Sequence, residues 1–163
     1  MDVNSGAALF LLRRATTKDL HVIVGLKLKM FSDAGMLELL AEKSKSLVFE
    51  TYNKLYYNGT AAHFIIETDN KTVACAGAFL KNDLPFCFYE KPVYGFIGDV
   101  YTAPEYRRRG YARILTGEAV NWLTAQGVDM IRLLATDQAR PIYKELGFKE
   151  SDEMVLMIKK EKG

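Results

Sequence analysis

The stretch Val100-Tyr101-Thr102-Ala103-Pro104-Glu105-Tyr106-Arg107-Arg108-Arg109-Gly110-Tyr111-Ala112 decides the architecture of this chain. It opens on β-branched and aromatic residues and breaks at Ala103-Pro104. After Gly110, Ala112, Leu115, Ala119, Trp122 and Leu123 fall on one helical face, while Arg113, Thr116, Asn121 and Gln126 point elsewhere. The pattern predicts a strand over 94–102 that turns through three arginines into a helix running to about Gln126 and closed by Gly127. A second β-rich run covers 129–135. Strand, helix and strand in that order require two nearly parallel strands joined by a right-handed crossover, so a ligand at the helix start lies beside their carboxyl ends.

The remaining elements extend this unit on both sides. Residues 9–15 read as a first strand, and Thr17 with Asp19 precedes an apolar series from Leu20 to Phe31 that predicts a capped helix. A second helix spans 44–57, with Leu47, Val48, Thr51, Leu55 and Tyr56 near helical spacing and Asn58-Gly59 as its stop. Runs 61–67 and 72–80 flank Thr68-Asp69-Asn70-Lys71, the chemistry of a hairpin turn. Residues 82–92 carry Pro85 and Pro92 around Phe86, Phe88 and Tyr89 and read as a longer loop over the substrate. A short helix over 141–146 ends at Gly147, and 154–159 reads as a final strand. The expected order is β-α-α-β-β-β-α-β-α-β, an α/β (α+β) fold with a mixed central sheet flanked by helices on both faces.

At 163 residues the chain suits one domain, 1–163, rather than two. A net charge of +2 leaves cations and anions nearly matched, so nothing in the composition asks for nucleic acid or an anionic membrane as partner. Cys75 and Cys87 lie among apolar neighbours without metal-ligand spacing, which reads as buried thiols and no metal site. The apolar run 7–12 is too short to span a membrane and lacks the flanks of a secretion signal, so a cytoplasmic enzyme is expected.

At the turn itself, the first backbone N–H groups of the helix have no intrahelical partner and are free to hold an anion. Gly110 allows close approach, Ala112 keeps the first turn slim, and the helix dipole favours negative charge. Such a turn suits a pyrophosphate, with the arginines adding charge-assisted contacts at the rim. Taken alone, three arginines and a glycine describe an ordinary solvated helix start; the strand before and the helix after give the turn its meaning.

Here the chain resembles the GNAT acetyltransferase superfamily, whose acetyl-coenzyme A signature Gln/Arg-x-x-Gly-x-Gly/Ala is matched by Arg107-x-x-Gly110-x-Ala112. Arg13-Arg14-Ala15 with Asp19, the helix ending Trp122 to Gly127, and Ile142-Tyr143-Lys144-Glu145-Leu146-Gly147-Phe148 resemble the family's first strand, central helix and closing helix in the expected order. The resemblance implies acetyl-coenzyme A as co-substrate, held by Arg107, Arg108, Arg109, Gly110, Tyr111, Ala112 and Arg113. It also implies that the pantetheine arm pairs with strand backbone between 99–102, including Val100, Tyr101 and Thr102, and 133–136. Many members have asparagine after the fifth strand where this chain has Thr136-Asp137, so those two are the candidates for that contact.

Acetyl transfer to an amine needs a held thioester, a neutral amine, a stabilised oxyanion and a protonated leaving thiol. A backbone N–H near Val100 or Tyr101 is the expected oxyanion donor. The resemblance assigns Tyr143 the protonation of the leaving thiolate, and a phenol of ordinary pKa about 10 is protonated at neutral pH. Packing on the sheet is its alternative. Asp99 is the first candidate for base, although strand alternation could turn it to the opposite face. Glu67 and Glu105 come next, each with a surface carboxylate as its plain reading. His21 and His63 read as a helix-face and a strand-start residue, neither with a partner that marks it as a base.

Phe31, Tyr52, Tyr56, Phe86, Phe88 and Tyr89 suggest a partly apolar acceptor pocket, although each is equally well explained as core or lid packing. Small-molecule amine, aminoglycoside and peptide amine all remain open, because this scaffold hosts many acceptors. An exposed final strand offers an edge for a homodimer. The alternative is a non-catalytic acyl-coenzyme A sensor or partner-binding module on the same fold. A dinucleotide-dependent oxidoreductase is a second, weaker rival, disfavoured by the glycine spacing and the missing acidic ribose partner.

Overall fold

A computed structural model describes residues 9–36, 44–84 and 91–158. The sheet is built around the hairpin at Asp69-Asn70, where both residues take positive φ, 50° and 59°, as a two-residue type I′ turn requires. The turn fixes Thr68 opposite Lys71 and so sets the register of β2 (Ala61–Thr68) against β3 (Lys71–Asn82). Antiparallel neighbours β1 (Leu11–Arg14) and β4 (Val93–Thr102) extend the sheet on either side, and β5 (Ile131–Leu133) pairs with β4 in parallel. The order is β1-β2-β3-β4-β5. The parallel β4–β5 pair is the one the crossover reading demands.

Helices cover both faces. On one, α3 (Tyr111–Ala125) presses Tyr111, Leu115, Ala119 and Leu123 against Ala62, Phe64, Ile66, Ala76 and Ile97. On the other, Leu20, Ile23, Val24 and Leu26 of α1 (Leu20–Asp33) and Tyr52 of α2 (Ser44–Tyr57) pack on Ile65, Cys75 and Phe79. Because the sheet is enclosed, β2 lacks the alternating exposure of a half-solvated strand: only Glu67 among its residues is not fully buried. Arg13 ties the chain at the β1–α1 connection, donating to both oxygens of Asp19 at 2.9 Å and to Glu67 at 2.7 Å. Asp19 also accepts the Thr16 backbone N–H at 2.7 Å, which caps the short 3-10 turn Thr17–Asp19. Finally, α4 (Arg140–Glu145) leans on α3 through the Arg113–Glu145 ion pair.

The structure differs from the sequence reading in three places. Residues 151–158 form no strand, and Met154, Val155, Leu156, Met157 and Ile158 are each at least 74% exposed. Apolar periodicity marks a segment able to be a strand, but a strand also needs a neighbour to complete its hydrogen bonds. Thr116, expected off the apolar face of α3, is buried with its hydroxyl unpaired among the described residues, and Leu47 of α2, expected to be inside, is 62% exposed. Helical spacing gives a stripe but not its centre line. Phe86, Cys87, Phe88 and Tyr89 lie outside the described residues. Among those described, no helix is long and apolar enough to cross a membrane.

Candidate functional site

At the carboxyl end of β4 the sheet comes apart. Pairing with β5 runs from Gly95/Ile131 to Ile97/Leu133, while β4 continues to Thr102. Within that extension the register against β3 slips: Gly77 opposes Gly98 and Cys75 opposes Tyr101, so Asp99 and Val100 together face the single residue Ala76. This is a β-bulge, and Asp99 occupies its left-handed position with φ 55°. Strict alternation from Ile97, which packs toward α3, would send the Asp99 side chain the same way. The bulge turns it to the α1/α2 face instead, which settles the question that alternation left open.

Main-chain directions follow from the same register. The Ala103 N–H donates to the Val73 carbonyl at 2.8 Å, so Val73/Ala103 and, two residues on, Cys75/Tyr101 are hydrogen-bonded pairs of the antiparallel ladder. The main-chain groups of Tyr101 therefore face β3. Those of Val100 and Thr102 face the other edge, where β5 has departed; the Thr102 carbonyl accepts the Arg107 Nε there at 2.9 Å. Of the two amides expected at the thioester, only that of Val100 looks into the gap.

Asp99 is the centre of a buried polar cluster. Its carboxylate accepts from Lys27 Nζ of α1 at 2.5 Å, from the Tyr52 hydroxyl of α2, and from His63 Nε2 of β2 at 2.9 Å. The Cys75 thiol of β3 donates to the Asp99 carbonyl at 3.1 Å, and the Tyr56 hydroxyl bonds His63 Nδ1 at 2.8 Å. Burial works to raise the Asp99 pKa, but the hydrogen bond from His63 and the nearby Lys27 charge outweigh it and hold the carboxyl well below its ordinary range. Burial pushes Tyr52 and Tyr56 upward, with Asp99 adding to the shift of Tyr52, so both phenols stay protonated donors. His63, which the sequence left without a partner, has two. The signal lay in register: His63 pairs with Gly77, whose missing side chain leaves room for the imidazole.

The other carboxylates and His21 are accounted for by structure. Glu67 is held by Arg13, and exposed Glu105 lends its carbonyl to Arg109. His21 is exposed and stacks on Phe49 at 4.4 Å. Cys75 is buried, and burial pushes its thiol pKa up, in keeping with an inert core cysteine.

At the start of α3, Gly110 is the N-cap with φ 81°, and a Cβ built there meets nothing within 4 Å. The first main-chain bond into the helix is Ile114 N–H to the Gly110 carbonyl at 3.1 Å, so the amides of Tyr111, Ala112 and Arg113 precede the intrahelical ladder. Tyr111 is itself buried in the α3 core, leaving its backbone rather than its side chain for a ligand. Arg107 is committed elsewhere: it bonds Thr102, pairs with Asp33 at 3.1 Å and lies over the Tyr101 ring. Arg109 lies over the Tyr106 ring. Arg108 is exposed, with φ 63° and no ion pair or hydrogen bond among the described residues. Asp33 was not singled out by sequence; it also accepts the Tyr101 hydroxyl at 2.7 Å, and burial followed by this bond lifts that phenol to about 12. Thr136 accepts the Ala139 N–H in the turn before α4, while Asp137 is exposed and pairs with Arg140 at 3.4 Å. Tyr143 is buried on α4 with its ring edge-on to Phe148; burial raises its pKa, and its hydroxyl has no hydrogen bond among the described residues.

The sheet ends its β4–β5 pairing beside the open N-terminus of α3, with helices on both faces. The Acetyltransferase (GNAT) family matches residues 31–148, and the chain belongs to that family; its chemistry is acyl transfer. A predicted acetyltransferase from Clostridium acetobutylicum, solved with acetyl-CoA, superposes with a TM-score of 0.83 at 25% identity, covering 91% of this chain and 96% of that one. A GCN5-related N-acetyltransferase from Ralstonia eutropha JMP134 gives 0.81 at 22% identity over 92% and 99%. Aminoglycoside N-acetyltransferase AAC(6')-Iy, solved with CoA, gives 0.74 at 16% identity over 95% and 97%. Comparison of the sequence with curated proteins finds no significant match.

Proposed function

We infer that the protein transfers an acetyl group from acetyl-coenzyme A to a primary amine, a small molecule in preference to a peptide. The observation that carries this reading is the juxtaposition of the free amides after Gly110 with the stretch of β4 that outruns β5. The residues fit the co-substrate: open space at Gly110 admits a diphosphate to the amides of Tyr111, Ala112 and Arg113, and Arg108 and Arg109 bring positive charge to the rim.

When bound, acetyl-coenzyme A supplies the activated acetyl group. The chain's share is orientation and charge control. The outward-facing main chain of Val100 and Thr102 offers strand-like hydrogen bonds to an extended arm, and the Val100 N–H is aimed where negative charge gathers on the acyl oxygen. Tyr143, protonated and with its hydroxyl in no hydrogen bond among the described residues, is the proposed donor to the leaving sulfur. Asp99 is a poor proton acceptor, because three donors already occupy its carboxylate. We therefore leave the amine proton to water at the acceptor side.

Thr136 and Asp137 remain proposed contacts through backbone. Arg107 and Arg113 act chiefly by shaping the turn, given their partners Asp33 and Glu145. The exposed apolar run 154–158 supports a homodimer in which that run pairs with a second copy. A thiol-release screen with acetyl-coenzyme A against a diverse amine panel tests the enzyme reading. Release with at least one amine is expected; tight binding with no release from any amine favours the sensor instead.

A further inference from the structure

Bulges in central strands interrupt a ladder and need something to hold them, and this one carries a non-glycine residue in the left-handed region. What holds it is visible. Four elements converge on Asp99: Lys27 from α1, Tyr52 from α2 and His63 from β2 on its carboxylate, and Cys75 from β3 on its carbonyl. Gly77 makes the convergence possible, since a Cβ there would stand 2.8 Å from His63 Nε2. Asp99 and His63 are each at most 6% exposed, and Lys27, at 22% side-chain exposure, is the member nearest solvent.

We propose that Asp99 is a positioning residue: clamped by Lys27, Tyr52 and His63, it fixes the β4 bulge that turns the Val100 amide into the gap beside β5. The inference rests on the acetyl-coenzyme A reading above and adds to it a device specific to this chain. Its geometry is economical. Asp99 and Val100 are adjacent, so locking the left-handed turn at one sets the direction of the next N–H. Lys27 belongs to α1 and Tyr52 to α2, so displacement of either helix is felt at the amide without any ligand touching Asp99. A carboxylate acting as a base would need a free lone pair facing the amine. A clamp needs the opposite, a carboxylate held by the elements it ties together, and the two Asp99 oxygens accept three donors from three elements.

The test reads the amide's effect directly. Infrared spectra of acetyl-coenzyme A labelled with carbon-13 at the acetyl carbonyl, bound to the intact protein, report the hydrogen bond to the thioester oxygen without requiring an acceptor. The wild-type protein should lower the carbonyl stretch relative to free acetyl-coenzyme A. Asp99→Ala should return it most of the way to the free value. Asp99→Asn, which tolerates the left-handed conformation and still accepts from Tyr52, should keep at least half of the wild-type shift. Tyr52→Phe leaves the Lys27–Asp99 ion pair in place and so guards against a folding defect; it should lose part of the shift with acetyl-coenzyme A affinity changed less than threefold. Equal stretches in all four proteins, or an Asp99→Asn spectrum matching Asp99→Ala, overturn the positioning role while leaving the enzyme reading intact. Failure of the wild-type protein to bind labelled acetyl-coenzyme A overturns both.

Discussion

His63 reaches Asp99 only because the residue paired with it across β2 and β3, Gly77, has no side chain: the position a Cβ would take is 2.8 Å from the His63 Nε2. The backbone at Gly77 has no positive φ, so space and not conformation demands the glycine. Gly77→Ala should therefore push the imidazole away from Asp99 and cost about 1–3 kcal/mol of stability, the range for overpacking a tight interior. Chemical denaturation measures this directly, and a loss below about 0.5 kcal/mol would mean that the ring moves aside freely.

The β1–α1 connection predicts a pH effect. Arg13, bonded to both oxygens of Asp19, holds that carboxyl down from 3.8 to about 2, against a smaller opposing effect of burial. A carboxylate with a depressed folded-state pKa contributes stability that is complete above its unfolded value and lost as pH falls through the folded one. Stability should thus decline between about pH 4 and pH 2, and Asp19→Asn should flatten that decline. Urea midpoints across this interval provide the check; an unchanged slope in the variant would assign the acid sensitivity elsewhere.

Tyr143→Phe removes one oxygen and keeps the ring against Phe148, so packing is preserved. Loss of a proton donor to the leaving sulfur should lower kcat on the order of a hundredfold, with the KM for acetyl-coenzyme A little altered. Steady-state kinetics with an amine found in the thiol-release screen decides it, and an unaltered kcat would make Tyr143 a packing residue.

If the run 154–158 pairs with another copy, Leu156→Lys should disrupt the assembly, because it sets a charge in the middle of five apolar residues. Sedimentation should give a dimer for the unmodified chain and a monomer for the variant. A monomer in both would show that the segment needs no second copy.

Local chemistry made much of the fold legible. Asp69-Asn70 specifies its own turn, Asn58-Gly59 marks the end of α2, and Gly110 and Gly127 bracket α3, since each of these signals acts within a few residues. The open turn at the start of α3 was legible for the same reason. The Asp99 cluster was not, because it depends on a one-residue mismatch between strands about twenty residues apart in sequence and on a helix that supplies Lys27 from far upstream. His63 looked like an ordinary strand residue because its partners come from register. The stretch 154–159 misled in the opposite way: its composition declares a strand, whereas pairing is decided by a neighbour that no single segment encodes.

In the proposed function, bare amides after Gly110 grip a diphosphate. Gly110→Asp tests it most directly, because aspartate tolerates the left-handed conformation and the space is open, so the fold should survive while a negative charge occupies the phosphate position. Titration calorimetry with acetyl-coenzyme A should show binding to the unmodified protein and none to the variant, with circular dichroism unchanged. Equal affinity in the two proteins would contradict the assignment of this turn.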